Sequence, residues 1–120
     1  MNYADKFKNI VSYFFYMKFR IFTTEEFNKK FSKLDKNIQR QIDNEIEQLE
    51  TNPNSGKPLG YKFFREKKVR NYRFYYLIYE EYIVVFIITL SEKKDQQEAI
   101  DKIKGLIPFY RDEIERKLNL

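Results

Sequence analysis

Two periodicities divide this chain. Met17-Lys18-Phe19-Arg20-Ile21-Phe22 alternates apolar and basic residues, the two-residue repeat of a half-buried strand. Thr23 and Glu26 follow at the spacing of a capping box that opens a helix. Phe27, Phe31 and Leu34 recur at i, i+4 and i+7, and Asp35 can cap a second helix whose Ile38, Ile42, Ile46 and Leu49 keep helical spacing. A helical hairpin is expected, ended by Thr51–Gly60, a loop holding Pro53, Gly56, Pro58 and Gly60.

Tyr61–Arg65, Val69–Tyr79 and Tyr82–Leu90 are rich in aromatic and β-branched residues and read as three strands, the last two joined through Glu80-Glu81. Tyr82–Leu90 is almost continuously apolar, which places it in the middle of a sheet covered on both faces. In Val69–Tyr79, the residues Tyr72, Phe74, Tyr76 and Ile78 share a face that looks like core. Asn71, Arg73, Tyr75, Leu77 and Tyr79 share the other, which is expected to open to solvent or ligand at its polar end. Ile100, Ile103 and Ile107 mark a helix that Gly105 and Pro108 should end, with a last helix from Pro108 to Leu118. The fold class is therefore α+β: a twisted antiparallel sheet of about four strands, an N-terminal helical hairpin packed on one face, and C-terminal helices.

Length and composition narrow the chemistry. A chain of 120 residues, 42% hydrophobic and 34% charged, fits a single globular domain, assigned to residues 17–120. Residues 1–16 read as an extension: either an amphipathic helix using Phe7, Ile10, Val11 and Phe14, or the product of a misassigned start with Met17 as the initiator. Absence of Cys and His removes disulfides, thiolate and imidazole metal sites, and histidine-based catalysis, so no metal or cofactor is expected. No apolar run approaches the roughly 20 residues of a membrane helix, and Asp5 and Ser12 break a signal-like start; a cytoplasmic protein is expected.

Charge is concentrated. The formal net charge is +5, and the segment 62–73 alone holds Lys62, Arg65, Lys67, Lys68, Arg70 and Arg73 against the single acid Glu66. A near-neutral body with one cationic segment suits a polyanion-binding surface, since phosphate contacts draw on clustered Lys and Arg. The bland alternative is an edge strand shielded by its own lysines. Glu66 is expected to form surface ion pairs with Lys67 and Lys68 rather than act as a base, and Asp43 with Glu47 to be a solvated helix face rather than a metal site.

Three segments in order carry a resemblance. Phe31-Ser32-Lys33-Leu34-Asp35 enters the second helix, Asn52-Pro53-Asn54-Ser55-Gly56-Lys57-Pro58-Leu59 follows it, and Lys68-Val69-Arg70-Asn71-Tyr72-Arg73 leads to Tyr76. Together they resemble the RelE/ParE superfamily of toxins from type II toxin-antitoxin systems, over about residues 17–104. The last segment is similar to that family's Arg-Val-Gly-Asn-Tyr-Arg signature.

Ribonuclease members of that superfamily cleave messenger RNA on the ribosome without metal, through a ribose 2′-hydroxyl. The resemblance implies catalytic roles for Arg73, on the scissile phosphate, for Lys68, which opens the signature, and for Lys93, the basic residue after the central strand. It implies nucleic-acid contacts from Arg65, Lys67, Arg70, Tyr75 and Lys94. Departures are visible: the family's acid-base lysines align with Phe64 and Glu66, with Arg65 and Lys67 one residue away, and its stacking tyrosine aligns with Ala99, leaving Tyr75 or Tyr110 to substitute.

Three functions stay open on this basis: a RelE-like messenger RNA endoribonuclease, a ParE-like toxin that inhibits DNA gyrase by protein contact, and an inactive RNA-binding relative. Either toxin implies a cognate antitoxin encoded nearby, bound on the cationic face or in the groove beside the hairpin.

Overall fold

The computed structural model describes residues 17–120; the proposed extension, residues 1–16, lies outside the described residues. Strand β1 (Arg20–Thr23) leads into helices α1 (Glu25–Ser32) and α2 (Lys36–Leu49), then a 3-10 turn over Pro53–Ser55. Four strands follow: β2 (Lys57–Tyr61), β3 (Phe64–Val69), β4 (Tyr72–Tyr79) and β5 (Val84–Glu92). Helix α3 (Gln96–Lys117) ends the chain. No helix among the described residues is long and apolar enough to cross a membrane.

The expected α+β architecture is present with five strands rather than about four, in the order β1-β5-β4-β3-β2. The additional strand is β2, inside the segment expected to be loop. Pro58 has no N–H to give a ladder, and β2 accommodates it by lying at the sheet edge against β3 alone. Val69–Tyr79, read as one strand, breaks at a two-residue turn, with Val69 opposite Tyr72 and Arg70 in the left-handed region at φ 53°. The sheet is antiparallel except for β1, which runs parallel to β5 because the helical hairpin carries the chain back across the sheet.

Local signals account for the hairpin. Asp35 caps α2 as expected, its carboxylate accepting the Ile38 amide at 3.0 Å. The α1 cap is Thr24, not Thr23, since Thr23 is still paired with Ile87 in the sheet. The Thr24 hydroxyl accepts the Phe27 amide at 3.0 Å and donates to the Ile88 carbonyl at 2.5 Å, tying helix to strand.

Two cores flank the sheet. On one face Phe27, Ile38, Ile42 and Leu49 of the hairpin meet Phe74, Tyr76, Ile78, Val85 and Ile87. On the other, Ile100, Ile103 and Ile114 of α3 meet Phe64, Tyr75, Leu77, Tyr79, Val84, Phe86 and Ile88. Helix α3 covers Tyr75, Leu77 and Tyr79 of the second β4 face, while Arg73 at its polar end lines a concavity, and β5 is buried on both faces as its apolar run predicts.

Helix α3 also corrects the expected break, running continuously through Gly105 and Pro108. An interior proline costs about 3 kcal/mol by removing one hydrogen bond to the preceding turn. Burying an isoleucine contributes roughly 1.5–3 kcal/mol, so Ile100 and Ile103 before Pro108, with Ile114 after it, outweigh that cost.

Candidate nucleic-acid interface

Strand alternation decides which cations meet. On β3 the positions Phe64, Glu66 and Lys68 turn toward α3, and opposite them on β4 lie Leu77, Tyr75 and Arg73. Lys68 pairs directly with Arg73 across the strands; Lys68 is exposed, whereas Arg73 is only 7% exposed. The Arg73 guanidinium is fixed from behind, Nη1 donating to the carbonyls of Tyr72 at 3.0 Å and Arg70 at 3.2 Å.

These two residues line a concavity of about 420 Å³ together with Lys57, Glu66, Lys67 and Gln96. A second, of about 280 Å³, shares Lys57, Glu66 and Gln96 and extends toward Lys104. The result is a trough along the N-terminal end of α3 with lysines on its walls and one carboxylate in its floor.

The other sequence-predicted residues divide by geometry. Lys93 is exposed on a 3-10 turn whose backbone is anchored to the signature turn, its amide donating to the Asn71 carbonyl at 2.8 Å. Arg70 projects from that turn, its Nε donating to Gln41 at 3.1 Å. Lys94 is exposed and lies 3.4 Å from Glu92, a pairing of little energetic weight at such exposure. Arg73, Lys68, Arg70, Lys93 and Lys94 thus gather at one end of the sheet.

Two cations are already occupied. Arg65 braces the proline-glycine segment, Nε donating to the Lys62 carbonyl at 2.8 Å and Nη1 to those of Asn54 at 3.0 Å and Gly56 at 2.8 Å. Lys67 reaches Glu45 of α2 at 3.0 Å, with only 13% of its side chain exposed.

Tyr75 does not match the stacking role expected of it. It is fully buried beneath α3, its hydroxyl bonded to Ser91 at 2.7 Å, and burial pushes its pKa up. Tyr110, the other stacking candidate, is half-buried, packs edge-on against Phe86 at 6.3 Å and lines a different concavity, with Glu26, Lys30 and Lys102.

Glu66 departs furthest from expectation. It is 6% exposed and forms no ion pair among the described residues. Gln96 of α3 holds it instead, Nε2 donating to the two carboxylate oxygens at 2.8 and 2.9 Å. Burying a carboxylate without a cation is costly, so the arrangement calls for a reason. The sequence did carry the signal for its burial, since Glu66 shares the strand face of Phe64; Gln96 and Lys104 carried none, because their place depends on how α3 docks.

The sequence profile of the ParE toxins of type II toxin-antitoxin systems matches residues 21–97. The chain belongs to the ParE toxin family. That match runs from β1 into the first turn of α3 and takes in the site residues named above except Lys104 and Tyr110, with the rest of α3 beyond it.

Solved RelE toxins have a similar fold. RelE in the intact Escherichia coli RelBE toxin-antitoxin complex is 23% identical, with a TM-score of 0.57 over 62% of this chain and 95% of that one. A doubly arginine-to-alanine substituted E. coli RelE in the free state is 21% identical, with a TM-score of 0.62 over 72% and 93%. The Mycobacterium tuberculosis RelBE2 complex gives 21%, 0.56, 64% and 93%. No match is found among curated proteins.

Proposed function

We propose that this ParE-family toxin is a RelE-like endoribonuclease that blocks translation in the cytoplasm by cutting messenger RNA on the ribosome. The observation that carries the reading is the cross-strand pair of exposed Lys68 and braced Arg73 at the mouth of the trough. Without a metal, the ribose 2′-hydroxyl attacks the adjacent phosphate and negative charge gathers on the non-bridging oxygens. Cations fixed before the reaction stabilise that charge most, because they need no reorganisation. Two of the Arg73 N–H directions are spent on the Tyr72 and Arg70 carbonyls, which leaves the remaining ones for a phosphate. Lys68 and Lys93 add ammonium groups, while Arg70 and Lys94 contact flanking phosphates and Arg65 and Lys67 hold the scaffold.

We assign the toxin domain to residues 17–120, with 1–16 as an extension. A cognate antitoxin encoded nearby is the expected partner, with a segment that folds onto the cationic end. Salt-sensitive co-purification of the two products tests that assignment, and failure to associate in dilute buffer counts against it.

Burial of Tyr75, with Ala99 where the stacking tyrosine would align, favours a second reading. In it the toxin inhibits DNA gyrase by protein contact and cuts nothing. The experiment is primer-extension mapping of a reporter message translated in vitro with the toxin, beside Arg73→Ala and a ribosome-free control. Ribosome-dependent cuts lost in Arg73→Ala support the nuclease. Uncut message with inhibited supercoiling supports the gyrase reading, and neither effect leaves an inactive RNA-binding relative.

A further inference from the structure

We infer that Glu66 is the general base of the cleavage reaction, an inference that rests on the nuclease reading above. Its carboxylate is buried to 6% exposure, lies in the floor of the cationic trough, and has both oxygens held by the Gln96 amide rather than by a lysine or arginine. Lysines stand on every side of it: Lys57 on β2, Lys68 on β3 and Lys104 on α3 line the same trough, while adjacent Lys67 is taken by Glu45. An acid whose purpose was charge balance would gain more by closing on one of these ammonium groups. Gln96 instead fixes the carboxylate's orientation and leaves it an acceptor.

Register supplies the second argument. Glu66 is paired with Tyr75 and Lys68 with Arg73, so Glu66 and Arg73 are diagonal neighbours on one face. Diagonal positions of an antiparallel pair lie about 7–8 Å apart. That gap accommodates a ribose 2′-hydroxyl beside the carboxylate and its 3′-phosphate against the guanidinium. Fully buried Tyr75 is the cross-strand partner of Glu66 beside that gap.

The step balances. Glu66 takes the 2′-hydroxyl proton as the O2′–P bond forms, and the P–O5′ bond breaks. The departing 5′ oxygen takes a proton from the Lys68 ammonium, leaving a 2′,3′-cyclic phosphate and a free 5′-hydroxyl. Proton return from Glu66 to Lys68 through solvent resets the site. This assigns chemistry to the residue standing where the resemblance leads one to expect a lysine. Gln96, in the first turn of α3, is then a positioning residue.

The test is single-turnover cleavage of a reporter message on ribosomes by the full-length toxin and by Glu66→Gln, Glu66→Asp and Gln96→Ala. For Glu66→Gln the rate should fall by about 10²–10⁴-fold, the range for a lost general base. Ribosome binding and the thermal midpoint should stay near wild type. Glu66→Asp should recover part of the rate, and Gln96→Ala should lower the saturated rate while ribosome binding stays near wild type. A Glu66→Gln rate within threefold of wild type overturns the assignment, as does a loss of cleavage that only mirrors a loss of binding or fold. Wild-type toxin that leaves the message intact overturns the nuclease reading itself, a result distinguishable from the first because no variant is needed to see it.

Discussion

The Tyr76 hydroxyl occupies the space that a Cβ on Gly56 would need. It accepts the Gly56 amide at 3.0 Å and donates to the Pro53 carbonyl at 2.7 Å, pinning the 3-10 turn to the centre of the sheet. A Cβ at Gly56 would also lie 2.7 Å from the Glu66 carbonyl, which belongs to backbone and cannot swing aside. Gly56→Ala should therefore destabilise the protein by about 1–3 kcal/mol, the range for overpacking a filled site. Tyr76→Phe should cost a similar amount, by leaving a buried donor and acceptor unpaired. Urea unfolding measures both; an unchanged midpoint in Gly56→Ala would refute the close contact.

The same tyrosine makes stability sensitive to alkali. Burial raises the Tyr76 hydroxyl from 10.0 to about 12, opposed by its Gly56 hydrogen bond and by Arg65; burial raises Tyr75 and Tyr79 in the same direction. Below pH 10 the group is protonated in both folded and unfolded chains, and its contribution is complete. Above pH 10 the unfolded chain ionises first, so that contribution is lost as the pH climbs toward about 12. Unfolding midpoints should fall across this window, and less steeply in Tyr76→Phe. Parallel profiles for the two proteins would show that Tyr76 does not govern the loss.

Arg70 holds a left-handed conformation, φ 53°, where an L side chain is strained by roughly 1–2 kcal/mol. Its hydrogen bond to Gln41 is exposed and returns only a fraction of that. Arg70→Gly should raise stability by about 0.5–1 kcal/mol with an unchanged denaturant slope. If Arg70 contacts phosphate, the same variant should weaken RNA binding and reduce its salt dependence. A more stable protein with full affinity would remove Arg70 from the interface.

The Tyr75 hydroxyl is engaged with Ser91 beneath α3, so Tyr75→Phe should leave cleavage within about threefold of wild type. Its loss of the Ser91 hydrogen bond should cost about 0.5–1.5 kcal/mol. Abolished cleavage in a folded Tyr75→Phe protein would place the Tyr75 hydroxyl in the reaction.

Much of this protein follows from local pattern. Ile38, Ile42 and Leu49 at helical spacing, the Asp35 cap and the apolar run ending at Leu90 define the hairpin and the buried strand, because periodicity and capping act within a few residues. The cationic cluster was equally legible, since Lys68 and Arg73 sit in one short segment. Tertiary structure decided the rest. Whether Pro108 ends a helix depended on isoleucines to either side of it finding one sheet face, and whether Tyr75 meets solvent or core depended on where that helix lies. The partners of Arg65, Lys67 and Glu66 come from other elements: the Pro53–Gly56 segment, α2 and α3. A strand's alternation says which face a charge takes; only the packing of distant segments says what meets it there.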